Sequence, residues 1–485
     1  MAITKQEAFA AIDRSAGLIH QVSDGVWEHP ETAFEEWESV KIHCDALEQC
    51  GFAVERGVGN IATAFTATYG SGKPKIGFLA EFDALSGLSQ QAGVAQQTPI
   101  TAGGAGHGCG HNLLGAGCLA AAIGVKEYLE QNQLPGTVVV YGCPGEEGGS
   151  GKAFMARDGV FDGLDAAITW HTDSCTNISM SSFTANIQLY YRFHGISAHA
   201  GGAPWNGRSA LDAVSLLNTG VQYLREHVTT DVRIHYAVTN TGGYSPNVVQ
   251  SEAEVLYLIR AKDVESARAV YERVNKIADG AALMTETRVE KDFVKACSNL
   301  VPNRVLCDLV HGNLAQLELP ELTQEDYDFA QHIIDSIPEV SRRNPEDPFN
   351  RIADPEIRAK LRQEWLGKPI YGFLPPVDGV ERRSGGSTDV GDVSCIAPTI
   401  MFFVCATALG TPGHSWQETA QGKQPLAKKY MLYAAKGMAG AAIDLFENPA
   451  LLLQAQAEHA QRMDHKPYVC PIPQGVKPRG ISGKK

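Results

Sequence analysis

Gly103-Gly-Ala-Gly-His-Gly-Cys-Gly-His111 opens directly into a run, 112–131, whose apolar residues recur at helical spacing. Glycine tolerates left-handed and crowded backbone, so the loop reads as a tight turn into a helix. Upstream, short apolar runs at 61–68 and 75–80 read as strands. Downstream, 137–141, ended by Gly142-Cys-Pro-Gly145, and 166–170 read as two more. Strands alternating with helices predict an α/β fold on a largely parallel sheet. In such sheets ligands bind beyond the carboxyl ends of the strands, where this loop falls.

Outward from this centre, the stretch up to Gly51 is helical in pattern, broken at His29-Pro30-Glu31-Thr32. The texture changes between about 181 and 300. There, strand patterns at 186–193, 232–238, 253–260 and 287–295 interleave with helical ones at 208–227 and 264–284. This β-α-β-β-α-β order predicts a compact inserted unit of the split βαβ, ferredoxin-like type. A buried-strand run at 398–405 and a helix at 424–446 return to the first texture. The expected division is a catalytic domain in two parts, 1–182 and 300–485, with the inserted domain at 183–299. The proline-punctuated segment 334–387 is expected to be irregular. A chain of 485 residues exceeds one compact core, which fits two domains.

The formal charge of −14 argues against a nucleic-acid binder but allows a local cationic site for an anionic substrate. No apolar run reaches the roughly 18 to 20 residues that span a bilayer, and the first residues lack a signal pattern. The expected compartment is the cytoplasm. The eleven cysteines lack framework spacing, so most are expected to be small buried hydrophobes.

Four features fall at predicted strand ends or helix entrances: His107/Cys109/His111, Glu146-Glu147, His171 and His414. A tight glycine loop can turn a thiolate and imidazoles towards one point, a good donor set for zinc or a similar ion. Of two adjacent carboxylates, one can bind metal while the other takes a proton from the attacking water. Each feature alone has a plainer reading: a glycine loop, a solvated acidic pair, a hydrogen-bonded histidine. Their coincidence at positions the fold converges favours a metal site. A metal-free thiol hydrolase, with Cys109 as nucleophile and His111 as base, is the rival from these residues.

Three motifs carry a resemblance: Gly106-His-Gly-Cys-Gly-His-Asn-Leu-Leu-Gly115, Tyr141-Gly-Cys-Pro-Gly-Glu-Glu-Gly-Gly-Ser-Gly151 and Thr411-Pro-Gly-His-Ser-Trp416. They resemble the amidohydrolase branch of the aminoacylase/carboxypeptidase metallopeptidases. The likeness extends to Glu81-Phe-Asp-Ala-Leu-Ser, Ser245-Pro-Asn-Val-Val-Gln250 and Ser387-Thr-Asp-Val-Gly-Asp-Val-Ser394, and so spans nearly the whole chain. The resemblance implies two divalent metal ions, zinc or manganese, held by Cys109, His111, Glu147, His171 and His414, with Glu146 as general base. It implies that the inserted domain is a lid that forms a homodimer, with His199 reaching the other subunit's site and Asn247 near substrate. A homologous A-type subunit is a further implied partner. The implied substrate is an N-acyl or N-aroyl amino acid, foremost p-aminobenzoyl-glutamate, a folate breakdown product. Other N-acyl amino acids or dipeptides, or a non-catalytic subunit, are the alternatives. The sequence departs from many relatives at Cys109, where they carry aspartate, and at Glu81, where they carry a ligand histidine. Asp83 is then expected to orient a ligand, and His107 to support the site without ligating. Arg208 and Arg304 join Asn247 as candidates for the substrate carboxylate.

Overall fold

The computed structural model describes residues 3–377 and 379–480. Its main strands are β1 (Ala53–Arg56), β2 (Phe65–Ser71), β3 (Lys75–Glu81), β4 (Gly136–Cys143), β5 (Ala166–Asp173), β6 (Ala185–His194), β7 (Arg233–Asn240), β8 (Glu252–Ala261), β9 (Arg288–Cys297) and β10 (Thr399–Cys405). They form a six-stranded sheet, β1-β2-β4-β3-β5-β10, and a four-stranded sheet, β9-β6-β8-β7.

The six-stranded sheet is mixed, where a largely parallel one was expected. β4, β3, β5 and β10 run parallel, whereas β2 is antiparallel to both β4 and β1. The reason lies in chain length. Only residues 72–74 join β2 to β3, too few for the crossover that parallel strands need. β2 therefore turns back and pairs on the far side of β4. Its start also lies later than the apolar run suggests, because 61–64 form a turn closed by the Ala64 N–H donating to the Ile61 carbonyl at 3.0 Å.

Helix His111–Asn132 lies against this sheet and is buried over most of its length. Its alanine, glycine and leucine content makes it apolar all round, the pattern of an internal helix. Helices Lys5–Arg14, Ala16–Glu28 and Pro425–Glu447 pack over it. The hydrophobic core thus fixes the helix whose first residue is His111.

The second sheet falls wholly between residues 185 and 297, and helices Ala210–Leu224 and Val264–Thr285 complete the β-α-β-β-α-β order. Alternation along β8 is strict: Ala253, Val255, Tyr257, Ile259 and Ala261 are buried, the residues between them less so. The buried set faces the two helices. The other face of the sheet is left to look elsewhere, and it turns towards the site described below.

The segment 334–387 is less irregular than expected. Helix Pro355–Trp365 forms within it. Asp354 caps it by accepting from the N–H groups of Glu356 and Ile357 at 2.8 and 3.0 Å, and Pro355 takes the first turn, where its missing N–H costs nothing. Phe349, Trp365, Tyr371 and Phe373 make a small core beneath it. Among the described residues no helix is long and apolar enough to cross a membrane, and all eleven cysteines are free.

Candidate metal centre and active site

The glycine loop delivers Cys109 and His111 to the carboxyl edge of the six-stranded sheet. Gly110 has φ of 72°, and a Cβ there would stand 2.5 Å from Thr172 Oγ1. Only glycine fits both demands, and the turn lets residues on either side of it converge. Thr172 Oγ1 donates to the Cys109 carbonyl at 3.2 Å, tying the loop to the end of β5. On the other side the His414 N–H donates to the Gly108 carbonyl at 2.9 Å. His414 itself sits at φ of 55°, a left-handed conformation rare for a non-glycine residue and frequent at functional sites.

Among the described residues, side-chain donor atoms gather into four overlapping groups, two of which share Cys109. Cys109, His111 and His171 each bring one ligand atom within 4.8 Å of the others, and so do Cys109, Glu147 and His414. The shared thiol is what a ligand between two ions requires. The imidazoles are oriented for this task. His111 Nδ1 lies 3.0 Å from Asp83 Oδ1 and 3.1 Å from the Asp83 carbonyl, so it carries the proton and donates. His171 Nδ1 donates to the Thr172 carbonyl at 2.8 Å. Both Nε2 lone pairs therefore face the cluster; His171 Nε2 is 3.4 Å from Cys109 Sγ. A carboxylate or carbonyl fixing the far nitrogen is the usual support of a ligating histidine. Asp83 does more, accepting from the Glu147 N–H through Oδ2 at 3.0 Å.

His111 Nε2 and Glu147 Oε1 are buried without a hydrogen bond, each facing only an ionisable neighbour at 3.3 Å, Glu81 Oε2 and His414 Nε2 respectively. Buried polar atoms are satisfied in nearly all proteins. Orphaned lone pairs on an imidazole and a carboxylate, beside a thiol, are the donor set of a divalent cation. The residues present therefore fit a metal. Electrostatics agree. Burial opposes a charge on His111, yet its bond to Asp83 and the charges of Asp83, Glu81 and Glu147 hold its pKa well above the ordinary value. Carboxylates crowd the imidazole side of the site.

Glu146 stands next to the cluster, with carboxylate oxygens near those of His111 and Glu147 donor atoms. Burial, then the charges of Glu81, Glu147 and Asp389, push its pKa well up. A carboxylate whose proton affinity is raised holds a proton it accepts more firmly, as a general acid–base group requires. The Cys109 thiol is also pushed well up, first by burial and then by Glu147, Glu418 and Glu146.

A cavity of about 360 Å³ opens onto these groups. Cys109, Glu146, Glu147, His171 and His414 form one wall, and the free face of the β6-β8-β9 sheet forms the other. Register explains which residues arrive there. Asn186 pairs with Arg260 on one side and Cys297 on the other; Gln188 pairs with Leu258 and Lys295. Residues opposite one another share a face, so all six line the cavity. Arg260 Nη1 and Asn186 Nδ2 both reach Ser387 Oγ at 2.7 Å, and Lys295 Nζ donates to the Glu147 carbonyl at 3.2 Å.

The remaining candidates fall elsewhere. His107 Nε2 donates to the Val26 carbonyl at 3.0 Å and takes no part in the cluster. His199 and Asn247 lie side by side on exposed loops of the second sheet, where Ala200 N–H donates to the Asn247 carbonyl at 2.9 Å. Neither lines the cavity of its own chain. Arg208 and Arg304 do not line this cavity within their own chain. Arg208 Nε is bound to Glu286 at 2.8 Å and its Nη1 to the carbonyls of Trp205 and Gly207. Arg304 pairs at 2.9 Å with Asp308 one turn along its own helix. The cavity's cations are Arg260 and Lys295 instead. Period-two alternation was the signal for Arg260: it shares parity with Leu258, opposite to the buried set.

Fold and site together define a metal-dependent hydrolase built on an α/β sheet. The model of Peptidase family M20/M25/M40 matches residues 77–435, and the chain belongs to that family. It is 48% identical, over 98% of its length and 99% of the relative's, to the B-type subunit of p-aminobenzoyl-glutamate hydrolase from Escherichia coli (strain K12). It is 28% identical, over 93% of its length and 90% of the relative's, to a Xaa-Arg dipeptidase of Mus musculus. Among solved structures it is similar to a dinuclear metal-binding M20 peptidase of Bacillus subtilis, with a TM-score of 0.54 and 18% identity, covering 90% of this chain and 99% of that one. The chain is a metallo-amidohydrolase acting on acylated amino acids.

Proposed function

We propose that the chain hydrolyses the amide bond of an N-aroyl acidic amino acid, with p-aminobenzoyl-glutamate as its foremost substrate. The observation that carries this is the pair of cations, Arg260 and Lys295, facing the metal-ligand cluster across the cavity. A dicarboxylic amino acid offers one carboxylate to each, and charge-assisted hydrogen bonds of this kind are the strong ones. The same pair repels a cationic side chain, which disfavours an Xaa-Arg dipeptide. The relative with 48% identity is named for p-aminobenzoyl-glutamate. Assaying p-aminobenzoyl-glutamate, its glutamine and alanine counterparts and a Xaa-Arg dipeptide side by side tests the reading. Turnover ordered with glutamate first supports it; a preference for the arginine dipeptide contradicts it.

Two divalent ions, zinc or manganese, are the proposed cofactors; bound, they supply Lewis acidity at the scissile carbonyl and lower the pKa of water. Cys109, His111 and His171 would hold one, and Cys109, Glu147 and His414 the other. Glu146 accepts the proton of the attacking water and returns it to the leaving amine. Arg260 and Lys295 hold the amino-acid carboxylates, which sets the amide against Glu146. Arg260→Ala is expected to raise KM for p-aminobenzoyl-glutamate roughly 10- to 100-fold, the size of one charge-assisted bond, with a smaller change in kcat. Steady-state kinetics check it.

The second sheet, with its boundaries at 183–299, is proposed as a lid through which two copies of the chain associate. Edge strand β7 supports this, since Tyr236 and Val238 are 43% and 40% exposed on an unpaired edge. So does His199. Its Nδ1 accepts from the N–H groups of Gly201 and Gly202 at 3.2 and 3.0 Å, which leaves the proton on Nε2, the form that donates to an oxyanion. Exposed in its own chain, it is placed to complete the site of a second copy. Val238→Asp is expected to give a monomer by light scattering and to lose most activity, as His199→Ala does in the intact dimer. A fully active monomer contradicts the arrangement. An A-type subunit is the alternative partner, since the Escherichia coli relative is itself named as one subunit of its enzyme. The free cysteines suit the reducing cytoplasm.

A further inference from the structure

One buried cation has no part in the chemistry above. Lys152 is wholly excluded from solvent. Its Nζ lies 2.6 Å from Glu81 Oε1 and 2.6 Å from Asp389 Oδ1, and its backbone N–H donates to Asp389 Oδ2 at 2.8 Å. Lysine is almost never fully buried unless paired, and here it is paired twice. The three groups come from distant parts of the chain: the end of β3, helix Gly151–Arg157, and the residue that opens helix Val390–Ser394.

What they surround is Glu146. Glu81, Glu146 and Asp389 each bring a carboxylate oxygen within 4.8 Å of the other two. Three carboxylates at that separation in a dry environment are stable only with a counter-charge held among them. Lys152 supplies it to Glu81 and Asp389 by direct contact, whereas no hydrogen bond joins it to Glu146. The backbone makes this arrangement stiff. Ser150, between the two short helices, has φ of 55°, and a Cβ on Gly151 would stand 1.9 Å from the Pro144 carbonyl oxygen. The segment carrying Glu146 and the one carrying Lys152 are thus folded tightly against each other.

We propose that Lys152 is a positioning residue for Glu146. Its ammonium ties Glu81 to Asp389, and the two fixed carboxylates form a negative wall behind Glu146. That wall turns the Glu146 carboxylate outward into the cavity, towards water and the scissile amide. Lys152 itself makes no hydrogen bond to the metal-ligand residues, while its partner Glu81 brings Oε2 to 3.3 Å from His111 Nε2. The inference rests on Glu146 being the general base, so Glu146→Gln is measured beside it.

The test uses the full chain loaded with zinc, with p-aminobenzoyl-glutamate as substrate and metal content and thermal midpoint read on the same samples. Lys152→Met is expected to lower kcat about 100-fold, the scale of a catalytic group displaced by about an ångström, with KM within about 3-fold and metal content unchanged. Lys152→Arg restores part of that kcat. The double variant Lys152→Met/Asp389→Asn removes one charge of each sign. It is expected to recover thermal stability but not kcat, because the tie is still gone. If Lys152→Met does not fold, the double variant carries the test alone. Recovery of wild-type kcat in the double variant, retention of kcat in Lys152→Met, or loss of metal in step with kcat would each overturn the proposal. Wild-type chain that fails to turn over the substrate, or Glu146→Gln that keeps its activity, overturns the reading of the reaction instead.

Discussion

Glu146→Gln is expected to lower kcat by about 10²- to 10⁴-fold, the usual contribution of a general acid–base group, while metal content stays at the wild-type level. The two parts of that expectation come from different atoms. The two donor groups that share Cys109, one with His111 and His171 and one with Glu147 and His414, do not include Glu146. The amide of glutamine keeps the size and the hydrogen-bonding reach of the carboxylate but cannot take a proton. In the chain stripped of metal, relief of like charge among Glu81, Glu146, Glu147 and Asp389 is expected to make the variant at least as stable as the wild type, because those charges, after burial, push the Glu146 pKa up. The sign follows from linkage. A carboxylate whose folded pKa is raised subtracts stability as pH climbs from its unfolded value through its folded one, and glutamine removes that loss. Kinetics, metal analysis and a thermal melt above neutral pH check all three at once.

Cys109→Ala has the other large effect, and it is the opposite in kind. Cys109 is the one residue common to both donor groups, so its loss weakens both sites together. The expected fall in metal affinity is at least about 10-fold per ion, which is what even a supporting group outside the ligand sphere contributes, and activity falls with it. Aspartate at this position gives the sharper variant. Cys109→Asp is expected to keep metal bound, because a carboxylate can also bridge two ions, and to shift preference from zinc towards manganese as the soft donor is replaced by a hard one. Metal analysis after growth in each ion checks this.

How far such an arrangement can be read without coordinates differs from residue to residue. The helix after the glycine loop, β3 to β5 and the β-α-β-β-α-β unit follow from apolar periodicity, because burial on one face or all round leaves that signal in the chain. The turn of β2 does not, since nothing local to 65–71 says on which side of β4 it will pair. Helix Pro355–Trp365 was legible in the Asp354-Pro355-Glu356 start signal, but prolines on either side suggested an irregular path. At the site, the gathering of Cys109, Glu147 and His414 follows from strand ends converging. The roles of Asp83 and His107 separate only in three dimensions, where one holds His111 and the other bonds to Val26. The cavity's cations are the hardest to read from sequence. Arg208 and Arg304 have carboxylate partners near in sequence or on the adjoining helix, whereas Arg260 reaches the cavity because the sheet's second face is turned towards it. Long-range orientation of that kind leaves no trace in local spacing.

The central claim is that hydrolysis depends on metal held by this cluster. Stripping the chain with a chelator and returning zinc or manganese stepwise, with p-aminobenzoyl-glutamate hydrolysis and bound metal read on each sample, tests it most directly. Activity is predicted to vanish on stripping and to return as the ions bind, reaching its plateau when both donor groups around Cys109 are filled. A stripped chain that still hydrolyses the amide, with activity abolished by alkylating Cys109, would contradict the account and make the thiol the nucleophile.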